Sequence, residues 1–382
     1  MKICMISQHP PFDIRAYYKI RAALKKQDNE VHYLSWIKRS SDMILFHSKE
    51  KDNLTYPIIS FISDPSSSFL KRGFQSLKAF QNIYLKVLDL RPDLIYINSP
   101  FLMPLAIYLK LRLGIPWIYD IYEDYYGLGN ERFLISWLER NLAKDAIYKI
   151  ATTDSLKEKF GDNNKSIVIY NSMYIVQEKN QVDLIKFRKH LGFNVDDFIV
   201  SYIGAISPER GLDKLVLSMN YIKNGNVKLL IVGGPSDQLK KVTRLISDTE
   251  RIRIISEVPF NSVPPYYYIS DLGVIPFQPA PNHIKTLPNK LFEYIAYGIP
   301  VLVSNIPEYR RAFPPESDSL CFVDSCNPLC IADKINDLSI NPRKRANMVK
   351  NAKNLFTNKY SWEIQELKLK KTLTYLSEKN SY

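Results

Sequence analysis

Residues Leu287–Ser304 read LPNKLFEYIAYGIPVLVS, a helix that gives way at once to a strand. Pro288 stands where a helix can begin, because the N–H that proline lacks has no intrahelical partner in the first turn. Gly298 and Pro300 end that helix and launch the strand Pro300–Ser304. The same alternation extends upstream. Phe198–Ile203 (FIVSYI) is an apolar strand ending at Gly204, and a helix follows near Leu212–Ile222. Val227–Val232 (VKLLIV) then runs into a Gly233-Gly234-Pro235 turn, and Arg251–Ser256 and Leu272–Pro276 add two more strands. Continuous apolar runs separated by helical segments indicate βαβ units and a buried parallel sheet.

The first half follows the same plan. Strands are expected at Lys2–Ser7, Glu30–Trp36, Asp93–Asn98, Pro116–Ile121, Ala146–Thr152 and Ser166–Tyr170. A basic helix is expected around Ala16–Lys26 and another from about Phe101 to Leu113. The 382 residues exceed what one core usually organises. The expected fold class is therefore α/β, with two Rossmann-like doubly wound domains facing each other across a cleft. Ser172–Asn194, polar and weakly periodic, reads as the junction. The expected domains are residues 1–175 and 195–358, with 359–382 as a closing helix. Ligands of such sheets bind at the carboxyl ends of the strands, so the loops there should carry the function.

Apolar residues make up 46% of the chain and charged residues 24%, which excludes large-scale disorder. No window approaches twenty consecutive apolar residues, so no membrane-spanning helix is expected. The short apolar N-terminus runs into Pro10 and Pro11, which argues against a secretory signal and for the cytoplasm. Cys4, Cys321, Cys326 and Cys330 read as small buried hydrophobes. No metal site is expected of them, since no histidine lies nearby and neither spacing is C-x-x-C. The net charge of +13 suits nucleic acid, an anionic membrane or phosphorylated small molecules, and does not choose among them.

The loops supply the chemistry. The amides of Asn289, Lys290 and Leu291 would point free N–H groups at an anion, helped by the helix dipole. Glu293, one turn deeper, is placed to accept hydrogen bonds from a diol such as ribose; alone, it reads rather as part of a plain amphipathic helix, and only the whole run favours the ligand. Gly204 lets backbone approach a ligand closely. Arg210, at the start of the next helix, can reach a diphosphate with its planar fork, or serve as a capping or surface residue. In the first half, His9–Arg15 (HPPFDIR) follows the first strand and Tyr119–Asp124 (YDIYED) ends another. Glu123 and Asp124 form a carboxylate pair expected to be exposed at that strand end, suited to acid–base work or to capping a helix.

The run PNKLFEYIAYGIPVLVS resembles the donor-site signature of the group 1 glycosyltransferases, family 4 of the retaining GT-B enzymes, in the branch with PNKLFEY in place of a glycine-rich run. The resemblance implies the GT-B fold and a UDP-, GDP- or dTDP-sugar donor. It also implies transfer with retention to a glycan or polyprenyl-linked sugar acceptor, in cell-surface polysaccharide assembly. It assigns donor binding to Gly204, Arg210, Pro288, Asn289, Lys290, Leu291 and Glu293, with Glu293 on the ribose. Two positions depart from the family pattern: Lys285 replaces the first motif glutamate, and Ala205 replaces one of two phosphate-binding cations. Arg210 matches the other cation, and Lys290 is either the substitute for the missing one or a solvated surface lysine. Catalysis is assigned to Arg210 and Lys290 on the leaving diphosphate and to the Glu123–Asp124 pair. Asp13 and Arg15 of a D-x-R-like element, and Tyr122 where histidine is usual, fall on the acceptor side. Asn171 matches an asparagine that shapes the cleft floor, and Tyr360-Ser361-Trp362 resembles the start of a closing helix that crosses back to the first domain. No D-x-D follows a strand, so no metal or cofactor is expected; the resemblance implies a front-face reaction guided by the leaving phosphate.

Phe69–Leu88 carries Leu70, Phe74, Leu77, Tyr84 and Leu88 at helical spacing, with Lys71, Arg72, Lys78 and Lys86 between them. It reads as a core helix, or as a helix lying on an anionic membrane, where each basic residue adds about 1 kcal/mol. The second reading would put the chain on the inner face of the cell membrane. Two rival functions are a sugar-nucleotide epimerase on the same fold, for which His283 alone lies near the donor run, and a basic nucleic-acid-binding protein. The second lacks any helix-turn-helix, zinc-finger or basic-aromatic pattern, so nucleic acid is not expected as a partner.

Overall fold

The computed structural model describes residues 1–7, 19, 22–23, 29–37, 58–62, 69–121, 124, 132–161, 165–176, 183–234, 236–245 and 250–379. They fall into two compact units, Met1–Tyr170 with Gln365–Tyr382, and Asn171–Ile364.

Among the described residues the first unit has a seven-stranded sheet, β1 (Lys2–Ser7), β2 (Glu30–Ile37), β3 (Ile58–Ile62), β4 (Leu94–Ile97), β5 (Trp117–Ile121), β6 (Tyr148–Ala151) and β7 (Ser166–Val168). The order is β3-β2-β1-β4-β5-β6-β7, and every pair is parallel. The second unit has six strands, β8 (Phe198–Ile203), β9 (Val227–Val232), β10 (Ile252–Ile255), β11 (Leu272–Ile275), β12 (Val301–Ser304) and β13 (Cys321–Val323). Their order is β10-β9-β8-β11-β12-β13, again all parallel. In each sheet the strand order reverses beside the first strand, at β1 and at β8, which creates a switch point. All six residues of β8 are buried, as a strand covered on both faces requires.

Packing fixes the helix after β11 to the sheet. The Tyr294 hydroxyl donates to the Ser201 carbonyl at 2.9 Å and accepts from the Ile203 amide at 3.1 Å. Its ring lies so close to β11 that a Cβ on Gly273 would stand 2.5 Å from Tyr294 Cδ1. Tyr360 is fully buried, stacks on Phe313 with centroids 4.9 Å apart, and donates to the Ala312 carbonyl.

The segment read as a junction is docked on the second unit. Leu184–His190 is a short helix with no buried residues, which explains its polar sequence. The ring of Phe187 meets Tyr266 edge-on at 5.2 Å, and Arg188 reaches the Asp271 carboxylate at 3.4 Å. Trp362 donates its amide to the Met173 carbonyl at 2.8 Å within the second unit. From Gln365 onward the helix Trp362–Lys379 belongs to the first unit, where the Gln365 side chain accepts from the Tyr170 amide at 3.1 Å.

The expected helix at Ala16–Lys26 lies almost wholly outside the described residues. Helix Phe69–Leu90 buries Ala79, Ile83 and Val87 and leaves Leu77, Leu85 and Leu88 exposed, Leu77 by 69%. The face against the sheet is therefore not the line through Leu77 and Leu88. No described helix is long and apolar enough to cross a membrane. All four cysteines are free thiols; Cys4 and Cys321 are buried, but Cys326 is exposed, against the reading of all four as core residues.

Candidate functional site

The site forms where the second sheet's central strands end. β8 leads into Gly204 (φ 123°) and β9 into Gly233 (φ 152°). A Cβ on Gly233 would lie 2.0 Å from the Gly204 carbonyl oxygen, so the two backbones pass where no side chain fits. The two glycines thus let the strand ends approach closely at the switch point.

Beside it starts helix Asn289–Ala296. Pro288 occupies the cap position (φ −74°, ψ 143°) rather than the first helical position expected, so the first helical amide is that of Asn289. The Asn289 side chain accepts a hydrogen bond from Asn171 Nδ2 at 2.6 Å, which ties the helix start to the chain after β7. Leu291 is fully buried and its amide already donates to the Pro288 carbonyl at 3.0 Å, so it is not among the free amides expected of this helix start.

Lys290 is not a solvated lysine: only 6% of it is exposed. Its Nζ lies 3.6 Å from the centroid of the Tyr202 ring and 3.2 Å from where a Cβ on Gly204 would stand. Among the described residues this ammonium has no hydrogen-bond partner. Burial, reinforced by the positive charge of Arg210, holds its pKa well below the ordinary lysine value, against the opposing pull of Glu293. Arg210 sits in the 3-10 turn Pro208–Arg210, ahead of the helix Leu212–Ser218 on which it was expected. Its Nη1 donates to the Ala205 carbonyl at 3.0 Å, and its guanidinium lies 5.3 Å from the Phe277 ring. Ala205 thus contributes a carbonyl that receives the Arg210 guanidinium.

Glu293, one turn into the helix, accepts a hydrogen bond from the Tyr267 hydroxyl at 2.5 Å. Tyr267 is itself fixed by stacking on Tyr297, with centroids 4.8 Å apart, and by an edge contact with Tyr294 at 5.2 Å. Burial raises the Glu293 pKa, and the Tyr267 bond and Lys290 charge oppose that rise. His283 is buried, with its ring 4.6 Å from Phe277 and Nδ1 3.0 Å from the Gln278 carbonyl; burial lowers its pKa.

Four residues of this environment carry no mark in the sequence: Tyr202, Tyr267, Phe277 and Tyr309. Each reads as an ordinary core aromatic. Tyr309, on helix Pro307–Ala312, is fully buried, and among the described residues its hydroxyl has no partner.

In the first unit, Asp13, Arg15, Tyr122 and Glu123 lie outside the described residues. Asp124 corrects an expectation. Instead of being exposed at a strand end it is 1% exposed and paired with Lys159 at 2.8 Å. Lys159 also pairs with Glu139 at 2.8 Å, and the Tyr119 hydroxyl donates to Glu139 at 2.6 Å. A carboxylate committed to a buried ion triad braces the fold behind β5 and is not free to face substrate. Among the described residues, no three His, Cys, Asp or Glu side chains are grouped as they would be to hold a metal ion.

Residues 183–355 match the sequence family described as Glycosyl transferases group 1, a range that takes in β8–β13 and the whole Lys290 neighbourhood except Asn171. The chain is 26% identical over 258 residues to the capsular polysaccharide biosynthesis glycosyltransferase CapM of Staphylococcus aureus, covering 62% of this chain and 64% of that one. It is also 26% identical over 201 residues to the lipopolysaccharide 1,2-N-acetylglucosaminetransferase of Salmonella typhimurium, covering 46% and 48%. The chain thus spans less than two thirds of either relative's length. Anabaena HepE, solved in complex with UDP, superposes with a TM-score of 0.78 at 19% identity, covering 98% of this chain and 100% of that one. Residues 183–355, less than half of the chain, are thus similar to the group 1 glycosyltransferases, and the two parallel sheets have the GT-B fold.

Proposed function

We propose that the chain transfers a sugar, with retention of configuration, from a nucleotide-sugar donor to a glycan or polyprenyl-linked sugar acceptor in cell-surface polysaccharide assembly. The observation that carries this reading is the buried Lys290 ammonium, without a hydrogen-bond partner among the described residues, set against bare glycine backbone at a helix start. Such a cation is stabilised by an anion, and a nucleoside diphosphate places one there while its ribose meets Glu293 a turn away. Lys290 and Arg210 then stabilise the charge that grows on the diphosphate as its bond to the anomeric carbon breaks. The acceptor hydroxyl adds to that carbon on the face the diphosphate leaves, and its proton passes to the departing phosphate oxygen. No step calls for a metal or a cofactor. UDP is the first nucleotide to test, since HepE was solved in complex with it; CapM supports the polysaccharide setting.

The test is nucleotide release from a panel of UDP-, GDP- and dTDP-sugars, with Glu293→Gln alongside. Release from one donor is expected. In the variant kcat/KM should fall about 10–100-fold, the worth of one charged hydrogen bond. Because burial raises the Glu293 pKa, wild-type donor capture should fail at a higher pH on the acid side than an ordinary glutamate would give. A donor converted to its epimer, without nucleotide release to an acceptor, would favour the epimerase. No release and no thermal shift with any nucleotide would overturn the donor-site reading.

A peripheral place on an anionic membrane suits a lipid-linked acceptor. Its support is the exposed line of Leu77, Leu85 and Leu88, with Lys78 among them, on helix Phe69–Leu90. Pelleting with anionic vesicles at low salt is expected, and its absence in the wild type contradicts this placement.

A further inference from the structure

We propose that the Tyr202 ring is the seat of the Lys290 ammonium, a positioning residue that holds this cation in place without pairing it to a carboxylate; the inference rests on the donor-site reading. Lys290 Nζ stands 3.6 Å from the Tyr202 centroid and 5.4 Å from that of Phe277. A cation over an aromatic face within about 6 Å is drawn to the negative face of the ring, more strongly where water is excluded. Tyr202 is fully buried, and its hydroxyl donates to the Ala205 carbonyl at 2.7 Å, which fixes the ring. Arg210 donates to the same carbonyl and lies over Phe277. Two aromatic faces thus hold two like charges as neighbours.

The charged and titratable groups that act on Lys290 are Arg210, Glu293 and the Tyr202 phenol. Arg210 repels the ammonium. Glu293 attracts it, but one oxygen of that carboxylate already accepts from Tyr267. Burial pushes the Tyr202 phenol up to about 12, so the ring stays neutral while Lys290 titrates. A carboxylate seat would neutralise the ammonium and compete with an incoming diphosphate. A ring stabilises the cation with no negative charge of its own, and so leaves it to an anionic ligand.

The experiment follows Lys290 by NMR in full-length protein carrying 13Cε-lysine, titrated with pH in the absence of nucleotide. Its signal is assigned by loss in Lys290→Met. Position 202 is replaced by phenylalanine and by its mono-, di- and trifluorinated analogues, which keep the shape and progressively drain the ring face. Tyr202→Phe should hold the wild-type midpoint, each fluorine should lower it, and the trifluorinated ring should lower it by about one pH unit. Tyr202→Leu, where it folds, should do the same. A midpoint that ignores fluorination overturns the seat, and the near-isosteric series gives that result whether or not Tyr202→Leu folds. The same samples are titrated with UDP. Affinity on the alkaline side that declines in step with the midpoint supports seat and donor site together. A midpoint that follows the ring while no nucleoside diphosphate binds keeps the seat and overturns the donor reading.

Discussion

Lys290→Met should lower kcat/KM for the donor by about 10²–10³-fold, the usual effect of removing one preorganised charge donor, while the fold becomes no less stable. The two effects have one cause. A lysine whose pKa is depressed on folding binds fewer protons in the native than in the unfolded chain. Between the depressed folded value and the ordinary value near 10.4, stability therefore rises with pH, and below that window the charged lysine weighs against folding. Burial, then Arg210, depresses Lys290 in this way. Methionine keeps the packing and removes the charge, so the variant should melt at or above the wild-type temperature at neutral pH. Activity behaves in the opposite sense. The wild-type rate should decline on the alkaline side as Lys290 loses its proton, beginning below the ordinary lysine value, and Lys290→Met should lack that limb. A thermal melt and a pH profile on the same two proteins check both halves. A variant that is inactive and also strongly destabilised would make Lys290 a structural residue.

The second large effect belongs to the first unit. Lys159→Met should destabilise the protein by about 3–5 kcal/mol, because it strands two buried carboxylates. Asp124 and Glu139 are each 1% exposed, and Lys159 touches both at 2.8 Å. Removing the shared cation leaves two negative charges deep in the unit, with the Tyr119 hydroxyl on one of them. Adding Glu139→Gln to Lys159→Met should recover part of the loss. Urea denaturation of the single and double variants gives the comparison. Equal stability of Lys159→Met and wild type would mean that the triad is hydrated and Asp124 available for other work.

Much of the fold was legible because its strands are continuous apolar runs with glycine or proline at their ends. β8 and β9 begin and end at the residues that FIVSYI and VKLLIV mark. β3 and β13 went unread. Their place comes from parallel pairing with β2 and β12, which no local pattern announces.

The site divides along a similar line. Local features, such as a glycine at the end of β8 or a glutamate one turn into a helix, are visible because neighbouring residues define them. Features made by distant residues are not. Nothing in YDIYED announces that Lys159 will return to Asp124 from 35 residues away, so the carboxylate looked exposed. Nothing in PNKLFEY says whether its lysine meets water or an aromatic face. That depends on Tyr202, which in FIVSYI resembles any other core residue until the helix is laid across the strand.

The most direct test of Lys290 as the donor-phosphate cation is calorimetric titration of wild type and Lys290→Met with UDP, on the alkaline side of neutral, in two buffers of different ionisation enthalpy. An anion beside a lysine of depressed pKa raises that pKa, so wild-type binding should take up protons and the heat should differ between buffers. In Lys290→Met the uptake should vanish and affinity should fall at least tenfold, about 1.4 kcal/mol. Equal affinity and equal proton uptake in the two proteins would contradict the account.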